Sequence, residues 1–345
     1  MKLRIELKVY IGAIIMIEYI KKELIYEGVV LIGTLSIHIS SNIPLDSIRA
    51  LNKNIFINPT EKGANFYIVL YRCMCDSDIF IHSLKYRDST VRNDYFNKGY
   101  YVCDHFGKPV NVVCEDNCII VFGDEIERIL WSYIVKYIMQ IWALENNLVF
   151  AKCAAFSYNG RATVLIGRGG SGKTVINSVV CKNFGTFITN SNAFIKDNKI
   201  IGFGSNIRIR NSLLYGSLFS GLTIKESLIT NEYLVNPFDA FNCDCFSWIP
   251  IRNYIIVNYD TGDNHLIRTT NDICSNYAEQ FLLGLNVYRL EEDVLDYFSK
   301  DCELFSKYYC RMKEHLIKGI SESNCFYADV DINNTKILSE FMEML

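Results

Sequence analysis

The sequence has little excess charge of either sign and no apolar run of membrane-spanning length. Its 35 basic and 38 acidic residues leave a net charge of −3, which gives no general electrostatic attraction to nucleic acid or to an anionic membrane. The apolar run 9–17 is bounded by Lys8 and Glu18, and it is too short for a bilayer, which needs about 20 residues. No small-residue cleavage site follows it, so no export signal is expected. We therefore expect a cytoplasmic protein that binds neither membranes nor nucleic acid in general.

The chain also lacks the C-x-x-C spacing of common zinc sites, although it contains 13 cysteines. Two C-x-C pairs occur, Cys73/Cys75 and Cys243/Cys245, and neither is followed by a histidine at ligand spacing. Free cysteine behaves as a small hydrophobic residue and persists in reducing compartments. We therefore interpret the cysteines as reduced, mostly buried thiols in preference to metal ligands.

What the sequence does contain is a glycine-rich loop between a predicted strand and a predicted helix. The apolar stretch 163–166 runs into the pattern G-x-x-x-x-G-K-T at 167–174, and the helix-compatible stretch 175–180 follows. This is the phosphate-binding P-loop pattern with the strand and helix that it requires. Glycines let backbone N–H groups approach an anion closely at the positive end of a helix. The predicted nucleotide-binding residues are Gly167, Arg168, Gly169, Gly170, Ser171, Gly172, Lys173 and Thr174.

Two side chains of this loop have predicted roles of their own. Lys173 can reach the outer phosphates of a nucleoside triphosphate, either ATP or GTP. The Thr174 hydroxyl can take one position on Mg²⁺, an ion that keeps most of its water when it is bound. A glycine-rich turn that binds nothing is the alternative, but a buried lysine without an anion beside it is costly. The sequence thus predicts a site for a nucleoside triphosphate with Mg²⁺, with Thr174 as the metal ligand.

The rest of the sequence predicts an α/β protein with two parts. Half of the residues are hydrophobic, which is enough for a substantial core. Residues 1–122 form a mostly β region, suited to recognising a substrate or partner, with strand patterns at 3–9, 29–39, 66–71, 100–102, 110–113 and 118–122. Residues 123–345 form the nucleotide-binding domain, whose helical tail includes helices within 271–318, a strand at 326–330 and a last helix from Thr335. An amphipathic helix at 125–146 begins this second domain.

The strand that leads into the P-loop is predicted to be one arm of a hairpin. Asn159-Gly160 is a strong signal for a two-residue hairpin turn, and it follows the apolar stretch 148–156, which Lys152 interrupts. Antiparallel pairing at this place differs from the usual parallel arrangement around a P-loop. The sequence therefore indicates a mixed sheet.

Polar side chains that follow the P-loop helix are candidates for the same site. A predicted strand, 184–189, ends at the triplet 190–192, and ligands of open sheets bind at the carboxyl ends of strands. In the stretch 207–210, alternation places Arg208 and Arg210 on one face. Two guanidinium groups on one face suit a phosphate or carboxylate, or they form a solvated face beside acidic residues. Both interpretations of the arginines stay open.

The apolar stretch 254–259, which Asp260 follows, also admits two interpretations. An apolar strand that ends in aspartate supplies a carboxylate to metal-bound water in many P-loop enzymes. However, the stretch 260–263 is a turn signal, and 266–269 can be a return strand. We favour the hairpin.

The order of these parts resembles the catalytic domain of HPr kinase/phosphorylase. The shared order, over about 148–212, is a strand, a turn, a strand into the P-loop, a helix, a strand with a polar triplet, a glycine-containing bend and a basic strand. That family shares its mixed-sheet core with phosphoenolpyruvate carboxykinase. The likeness is greatest to small HPr-kinase-like proteins encoded beside peptide-modification and other biosynthetic genes. The resemblance implies an HPr-kinase-like P-loop core in which Gly167, Gly172, Lys173 and Thr174 hold the nucleotide.

The sequence departs from the family at its other catalytic positions. The family has a histidine on the strand before the hairpin, where this chain has Lys152. It has two aspartates after the next strand, one as base and one at the metal, where this chain has Ser191 and Asn192. A kinase of this type needs a carboxylate to accept the hydroxyl proton and hold Mg²⁺. Asp197 is the nearest carboxylate in sequence and could substitute.

Two functions from different classes follow. The first is an enzyme that transfers a phosphoryl group to a hydroxyl of a peptide, protein or small metabolite. Its candidate catalytic residues are Lys152, Lys173, Ser191, Asn192, Arg208 and Arg210. Nucleotidyl transfer is a variant in which a missing base matters less. The second is a regulatory protein that holds a nucleotide and a partner without fast chemistry. The sequence favours the enzyme and leaves the acceptor and a homo-oligomeric state open.

Overall fold

The chain forms two compact units, Met1–Val135 and Lys136–Leu345. The computed structural model describes residues 20–45, 48, 53–57, 63–73, 85–87, 90–93, 100–103, 110–115, 117–124, 126–209, 218–219, 222, 225–227, 232–259, 264–331 and 344. The division falls within the long helix that begins the predicted second domain. The predicted strand at 3–9 and the predicted helix from Thr335 lie outside the described residues.

The first unit is built on one mixed β-sheet. Its strands are β1 (Tyr26–Ile32), β2 (Leu35–Ser41), β3 (Phe56–Ile57), β4 (Phe66–Arg72), β5 (Lys85–Arg87), β6 (Thr90–Asn93), β7 (Tyr100–Cys103), β8 (Val110–Glu115) and β9 (Cys118–Gly123). Among the described residues their order is β3-β1-β2-β4-β9-β8-β7-β6-β5. Strand β4 is parallel to both β2 and β9, while the other neighbours are antiparallel. The prediction of a mostly β first region agrees with this sheet.

One predicted strand of this region is wrong in its extent. The stretch 29–39 is not one strand, because the chain reverses at Gly33, and β1 and β2 pair as an antiparallel hairpin. Gly33 has a φ of 59°, a left-handed conformation that glycine adopts at little cost. Most residues on both sides of the turn are buried. Hydrophobicity therefore did not mark the reversal.

A long helix follows the first sheet, as predicted. It consists of α1 (Ile126–Ile129), a π-helical turn at Leu130–Ile134 and α2 (Val135–Glu145). Its apolar residues are buried at three- and four-residue steps, including Ile126, Leu130, Ile134 and Ile138. The predicted amphipathic stripe is therefore a packing surface.

The second unit contains a larger mixed sheet and a small three-stranded one. Its strands are β10 (Val149–Ala151), β11 (Ala154–Tyr158), β12 (Arg161–Ile166), β13 (Thr186–Thr189), β14 (Ala193–Lys196), β15 (Lys199–Ile201), β16 (Ile207–Ile209), β17 (Lys225–Ser227), β18 (Glu232–Val235), β19 (Ile249–Tyr259), β20 (His265–Arg268) and β21 (Asn324–Val330). Its further helices are α3 (Lys173–Asn183), α4 (Pro237–Ala240), α5 (Asn271–Phe281), α6 (Gly284–Val287), α7 (Glu291–Tyr297) and α8 (Cys302–Ser321). Together the elements define an α/β protein with mixed sheets and several helices. The helices predicted within 271–318 are confirmed.

Strand β12 occupies an interior position in the larger sheet. The described order is β10-β14-β15-β19-β12-β11-β13, with β21 pairing to β19 and β20. On one side β12 is antiparallel to β11, and on the other it is parallel to β19. Asn159 and Gly160 turn the chain between β11 and β12 with φ angles of 50° and 70°. The predicted hairpin and the mixed sheet are therefore confirmed.

The apolar stretch 148–156 forms two strands in place of one. Strand β10 pairs with β14, whereas β11 pairs with β12 and β13. The change of partner occurs at Lys152 and Cys153, where the backbone N–H of Lys152 donates to the Leu282 carbonyl at 2.7 Å. Lys152 thus stands at a junction between strands and is half-buried.

The hairpin predicted for 254–269 is wrong. Strand β20 does not pair with β19, because β21 lies between them, parallel to β19 and antiparallel to β20. The turn signal at 260–263 lies outside the described residues. Strand β19 is therefore the parallel neighbour of β12, and its carboxyl end reaches the same sheet edge as the glycine-rich loop.

Helix α3 packs against the sheet that carries this loop. Buried residues of the helix, Ile176 and Val180, share one apolar cluster with Leu165, Ile255 and Ala328 from β12, β19 and β21. Because helix and strands are fixed by the same core, the loop between β12 and α3 is held at both ends.

Candidate functional site

The loop between β12 and α3 has the backbone that a phosphate-binding turn requires. Gly170 and Gly172 have φ angles of 86° and 90°, a region that side chains with a Cβ rarely adopt. Gly172 is the residue before helix α3 and has no side chain to cap it. The first N–H groups of the helix have no intrahelical partner and are directed to the mouth of the loop. The positive end of the helix dipole lies there as well.

Gly167 is required by a close approach between neighbouring strands. A Cβ at this position would lie 2.5 Å from both the Val257 carbonyl oxygen and the Ser171 hydroxyl. Gly169 is different, because a Cβ there would meet nothing within 4 Å. The first glycine of the motif therefore serves packing against β19, whereas a side chain at position 169 would extend into open space.

The Lys173 ammonium lies inside the curve of the loop. Its Nζ donates to the carbonyls of Gly167 at 2.6 Å and Arg168 at 2.7 Å, and to the Ser171 hydroxyl at 3.2 Å. Burial and the nearby Lys152 cation lower the pKa of Lys173 to about 8. The side chain is still mainly charged at pH 7, so the loop presents a fixed cation to an incoming anion.

Asn190 joins the metal-ligand candidate Thr174 at the carboxyl end of β13. Its Nδ2 donates to the Thr174 hydroxyl at 3.2 Å. Its Oδ1 is buried and accepts no hydrogen bond within the described part of the chain. Mg²⁺ on a triphosphate needs one or two protein ligands and keeps several waters, so a hydroxyl beside an amide oxygen fits it. No cluster of three or more His, Cys, Asp or Glu suited to a metal occurs among the residues described.

Changing the charge of Asn190 is expected to change the affinity for Mg²⁺. Asn190→Asp puts a carboxylate beside Thr174 and should tighten Mg²⁺ binding about 10-fold, since hard cations prefer anionic oxygen. Asn190→Leu keeps the branched shape but has no polar atoms, so it should weaken Mg²⁺ binding by a similar factor. The measurement is a Mg²⁺ titration of nucleotide binding, with metal-free nucleotide affinity as the control. Equal Mg²⁺ affinities in the three proteins would remove Asn190 from the site.

The other two members of the triplet hydrogen-bond to groups other than Thr174. Asn192 is buried, with 1% of its surface exposed. It accepts a hydrogen bond from the Tyr288 hydroxyl at 2.7 Å and donates to the Ser191 hydroxyl at 3.3 Å. The expectation that the triplet lies beside the P-loop therefore holds through Asn190. The positions matched to the family's aspartates, Ser191 and Asn192, bond to each other and to Tyr288.

Asp197 does not replace the missing carboxylates. It lies in the exposed turn between β14 and β15, with a φ of 46°. Strand β14 runs from Ala193 next to the triplet to Lys196. At about 3.3 Å per residue, this separates Asp197 from Asn192 by roughly 15 Å.

The basic candidates Lys152 and Arg208 are joined by a lysine that sequence reasoning missed. Lys152 and Lys136 both lie over the ring of Tyr288, with Nζ at 5.3 Å and 4.1 Å from the ring centre. Burial, then Lys152, then Arg208 lower the pKa of Lys136 to about 7. Arg210 lies outside the described residues. Lys136 lies within the helix predicted at 125–146, and the only signal in the sequence was a basic residue in a mostly apolar helix.

A second polar group lies at the carboxyl end of β21, which sequence reasoning also missed. Asp329 Oδ1 accepts from Asn258 at 3.0 Å and from the Tyr327 hydroxyl at 2.8 Å. Its Oδ2 lies 2.9 Å from His265 Nε2. In register, Asn258 pairs with Asp329, one residue beyond the Val257 carbonyl that approaches Gly167. With strands about 4.8 Å apart, Asp329 is about 10 Å from the line of β12.

The cysteines do not form a metal site or a disulfide in the part of the chain described. Ten cysteines whose side chains the structure describes, from Cys73 to Cys325, are free thiols. Several are buried, including Cys153, Cys181, Cys245, Cys274 and Cys325. Burial raises the pKa of Cys153 to about 12, although the nearby Lys173 acts in the opposite direction. The thiols of this region are therefore packing groups.

Comparison with known proteins adds no identification to this geometry. No protein-family model matches the sequence, and no curated protein matches it significantly. Within the described residues, none of the helices has both the length and the apolar character to cross a membrane.

Proposed function

We propose that the chain binds a nucleoside triphosphate with Mg²⁺ at residues 167–174 and transfers its terminal phosphoryl group. The acceptor is a hydroxyl of a peptide, protein or small metabolite, and the reaction takes place in the cytoplasm. The observation that carries the proposal is the Lys173 ammonium held within the glycine loop, beside Thr174 and Asn190. A cation, helix N–H groups and a hydroxyl–amide pair are what a triphosphate with Mg²⁺ needs.

The arrangement of strands supports an HPr-kinase-like core. The P-loop strand has an antiparallel hairpin partner on one side and a parallel strand on the other, which is consistent with the mixed-sheet core that the resemblance implies. The bound Mg²⁺ would supply positive charge to the phosphates, with Thr174 and Asn190 as its protein partners. Lys173 and the loop N–H groups would stabilise the charge on the transferred phosphoryl group.

Asp329 and His265 are the proposed acid–base pair. The carboxylate is oriented by Asn258 and Tyr327, and it in turn orients the imidazole. A carboxylate–imidazole pair can accept the proton of an acceptor hydroxyl. The pair lies at the same sheet edge as the P-loop and supplies the function that Ser191 and Asn192 cannot.

A nucleotide-binding protein without fast chemistry is the second candidate. The observation that favours it is the place of Ser191 and Asn192, which occupy the family's aspartate positions and are held in hydrogen bonds to each other and to Tyr288. In this case the nucleotide would control the binding of a partner, and the β-sheet of the first unit would be the partner surface.

Transfer of labelled phosphate separates the two functions. The protein is incubated with Mg²⁺ and γ-labelled ATP or GTP, with water or a low-molecular-weight extract as acceptor. We expect labelled product from the wild type and at least 100-fold less from Asp329→Asn, with unchanged nucleotide affinity in that variant. Nucleotide binding without turnover under every condition would support the second candidate and contradict the first.

A further inference from the structure

A second cation belongs to the glycine-rich loop and lies at the end of the loop that the Lys173 side chain reaches. The stretch 167–174 contains two basic residues, Arg168 and Lys173. Lys173 is the first residue of α3, but its Nζ donates to the Arg168 carbonyl at 2.7 Å. Arg168 is therefore next to the tip of the lysine side chain, which is the part that reaches the outer phosphates of a nucleotide.

The Arg168 side chain is exposed and lies over an aromatic ring. Its guanidinium carbon is 5.3 Å from the centre of the Phe281 ring, which belongs to the last residue of α5. Tyr277, one turn earlier on α5, packs on Phe281 with 4.5 Å between ring centres and an interplanar angle of 39°. Burial raises the pKa of Tyr277, while Arg168 acts in the opposite direction. Two neutral rings of one helix thus lie beside the cation.

Helix α5 is fixed to the sheet that carries the loop. Its residues Cys274 and Ala278 are fully buried. Just after its end, the Leu282 carbonyl accepts from the backbone N–H of Lys152 at 2.7 Å, at the junction between β10 and β11. Strand β11 is the hairpin partner of β12, which leads into the loop. The Phe281 ring therefore keeps a defined place beside the loop.

The ring positions the guanidinium without using its hydrogen-bond donors. A cation is attracted to the face of a ring, whereas the N–H donors of arginine lie in the plane of the guanidinium. The ring carries no net charge, so this contact does not neutralise Arg168. At an exposed position it is also weaker than the charge-assisted, often bidentate hydrogen bonds that arginine forms with phosphate. A phosphate in the loop therefore competes successfully with the ring for the guanidinium.

We propose that Arg168 binds the terminal phosphate of the nucleotide and makes the site select a nucleoside triphosphate over a diphosphate. This inference rests on the proposed function, because it assigns to one residue the recognition of the group that is transferred. The backbone N–H groups of the loop and of the start of α3 bind phosphate in either nucleotide. The guanidinium binds the one group that the two nucleotides do not share.

This assignment has a consequence for the release of the product. Once the terminal phosphoryl group has left, Arg168 has no hydrogen bonds to the nucleotide that remains. The diphosphate then binds less tightly than the triphosphate that it came from. Arg168 therefore favours the exchange of the product for new substrate.

The test compares nucleotides that differ in the terminal phosphate. With Mg²⁺ present, calorimetry measures the binding of ADP and of a non-hydrolysable ATP analogue, and of GDP and a GTP analogue. For the pair that the wild type binds, Arg168→Met should weaken the triphosphate analogue by about 10-fold or more and the diphosphate by less than about twofold. Arg168→Lys keeps the charge but not the planar fork of donors, so it should weaken the analogue by about threefold.

Arg161→Met is the matched control for Arg168→Met. Arg161 is exposed at the first residue of β12, at the opposite end of the strand from the loop. Its loss changes the net charge by the same amount, so a general electrostatic effect would appear in both variants. Both nucleotide affinities of Arg161→Met should stay within about twofold of the wild type. Because both arginines are exposed, thermal unfolding of the two variants should match that of the wild type.

The outcomes separate this inference from the proposed function. If Arg168→Met weakens both nucleotides by the same factor, or weakens neither, Arg168 does not recognise the terminal phosphate, and the nucleotide site stands without the inference. An equal loss of selectivity in Arg161→Met would also overturn the inference, since long-range charge would then be the cause. If the wild type binds none of the nucleotides, the proposed function fails and the inference fails with it.

Discussion

Lys173→Ala is expected to weaken binding of ATP or GTP about 100-fold and to abolish turnover. The ammonium lies inside the loop on two backbone carbonyls and the Ser171 hydroxyl, where a phosphate would also reach it. A hydrogen bond to a charged group contributes about 1.5–3 kcal/mol, and each 1.4 kcal/mol is tenfold in affinity. Equilibrium binding of a fluorescent nucleotide measures the loss.

Lys182→Ala is the matched control for this substitution. Lys182 lies near the other end of α3, is exposed, and donates to the Leu218 carbonyl. Its removal changes the net charge by the same amount as Lys173→Ala but leaves the loop untouched, so nucleotide affinity should stay within about twofold. An unchanged affinity in Lys173→Ala would contradict the P-loop assignment itself.

Gly167→Ala is expected to remove nucleotide binding and to destabilise the second unit. The new methyl group would lie 2.5 Å from the Val257 carbonyl oxygen and from the Ser171 hydroxyl, so strand β19 or the loop must move. Overpacking of this kind costs about 1–3 kcal/mol. Denaturant unfolding measures the stability, and nucleotide binding below the unfolding transition measures the damage to the loop.

Gly169→Ala is the control for Gly167→Ala. It tests whether the loss of stability comes from the close approach of Val257 to Gly167 or from any substitution in the loop. It adds the same methyl group four residues before the first residue of α3, where nothing lies within 4 Å. Its stability should stay within about 0.5 kcal/mol of the wild type. If both alanine variants lost equal stability, the approach of Val257 to Gly167 would not be the cause.

The parts of the site that the sequence predicted are those encoded locally. The P-loop needs glycines, a lysine and a threonine at fixed spacing, and the Asn159–Gly160 turn needs two residues that tolerate positive φ. Both signals lie within a few residues of the structure that they specify. The prediction of a mixed sheet around β12 depended only on the hairpin signal.

The parts that could not be predicted depend on pairing between distant segments. Asp329 lies at the same sheet edge as the glycine-rich loop because β21 inserts beside β19, about 70 residues after it in the chain. No period or turn signal near Asp329 specifies that neighbour. Lys136 could not be singled out for a different reason, since one lysine in a mostly apolar helix is compatible with both a packing helix and a charged site. Asn190 was placed correctly beside the P-loop, but its specific contact with Thr174 required the orientation of the side chain.

The position of β21 has a consequence for the order in which the chain can assemble. Residues 249–268 are synthesised before β21. They contain two strands with a turn signal between them, so a β19–β20 hairpin can form locally. In the final sheet β21 separates these strands, and any such hairpin must open before β21 enters. Local contacts form faster than distant ones. The edge of the sheet that holds Asp329 is therefore completed only after synthesis has passed residue 330, later than the loop at 167–174.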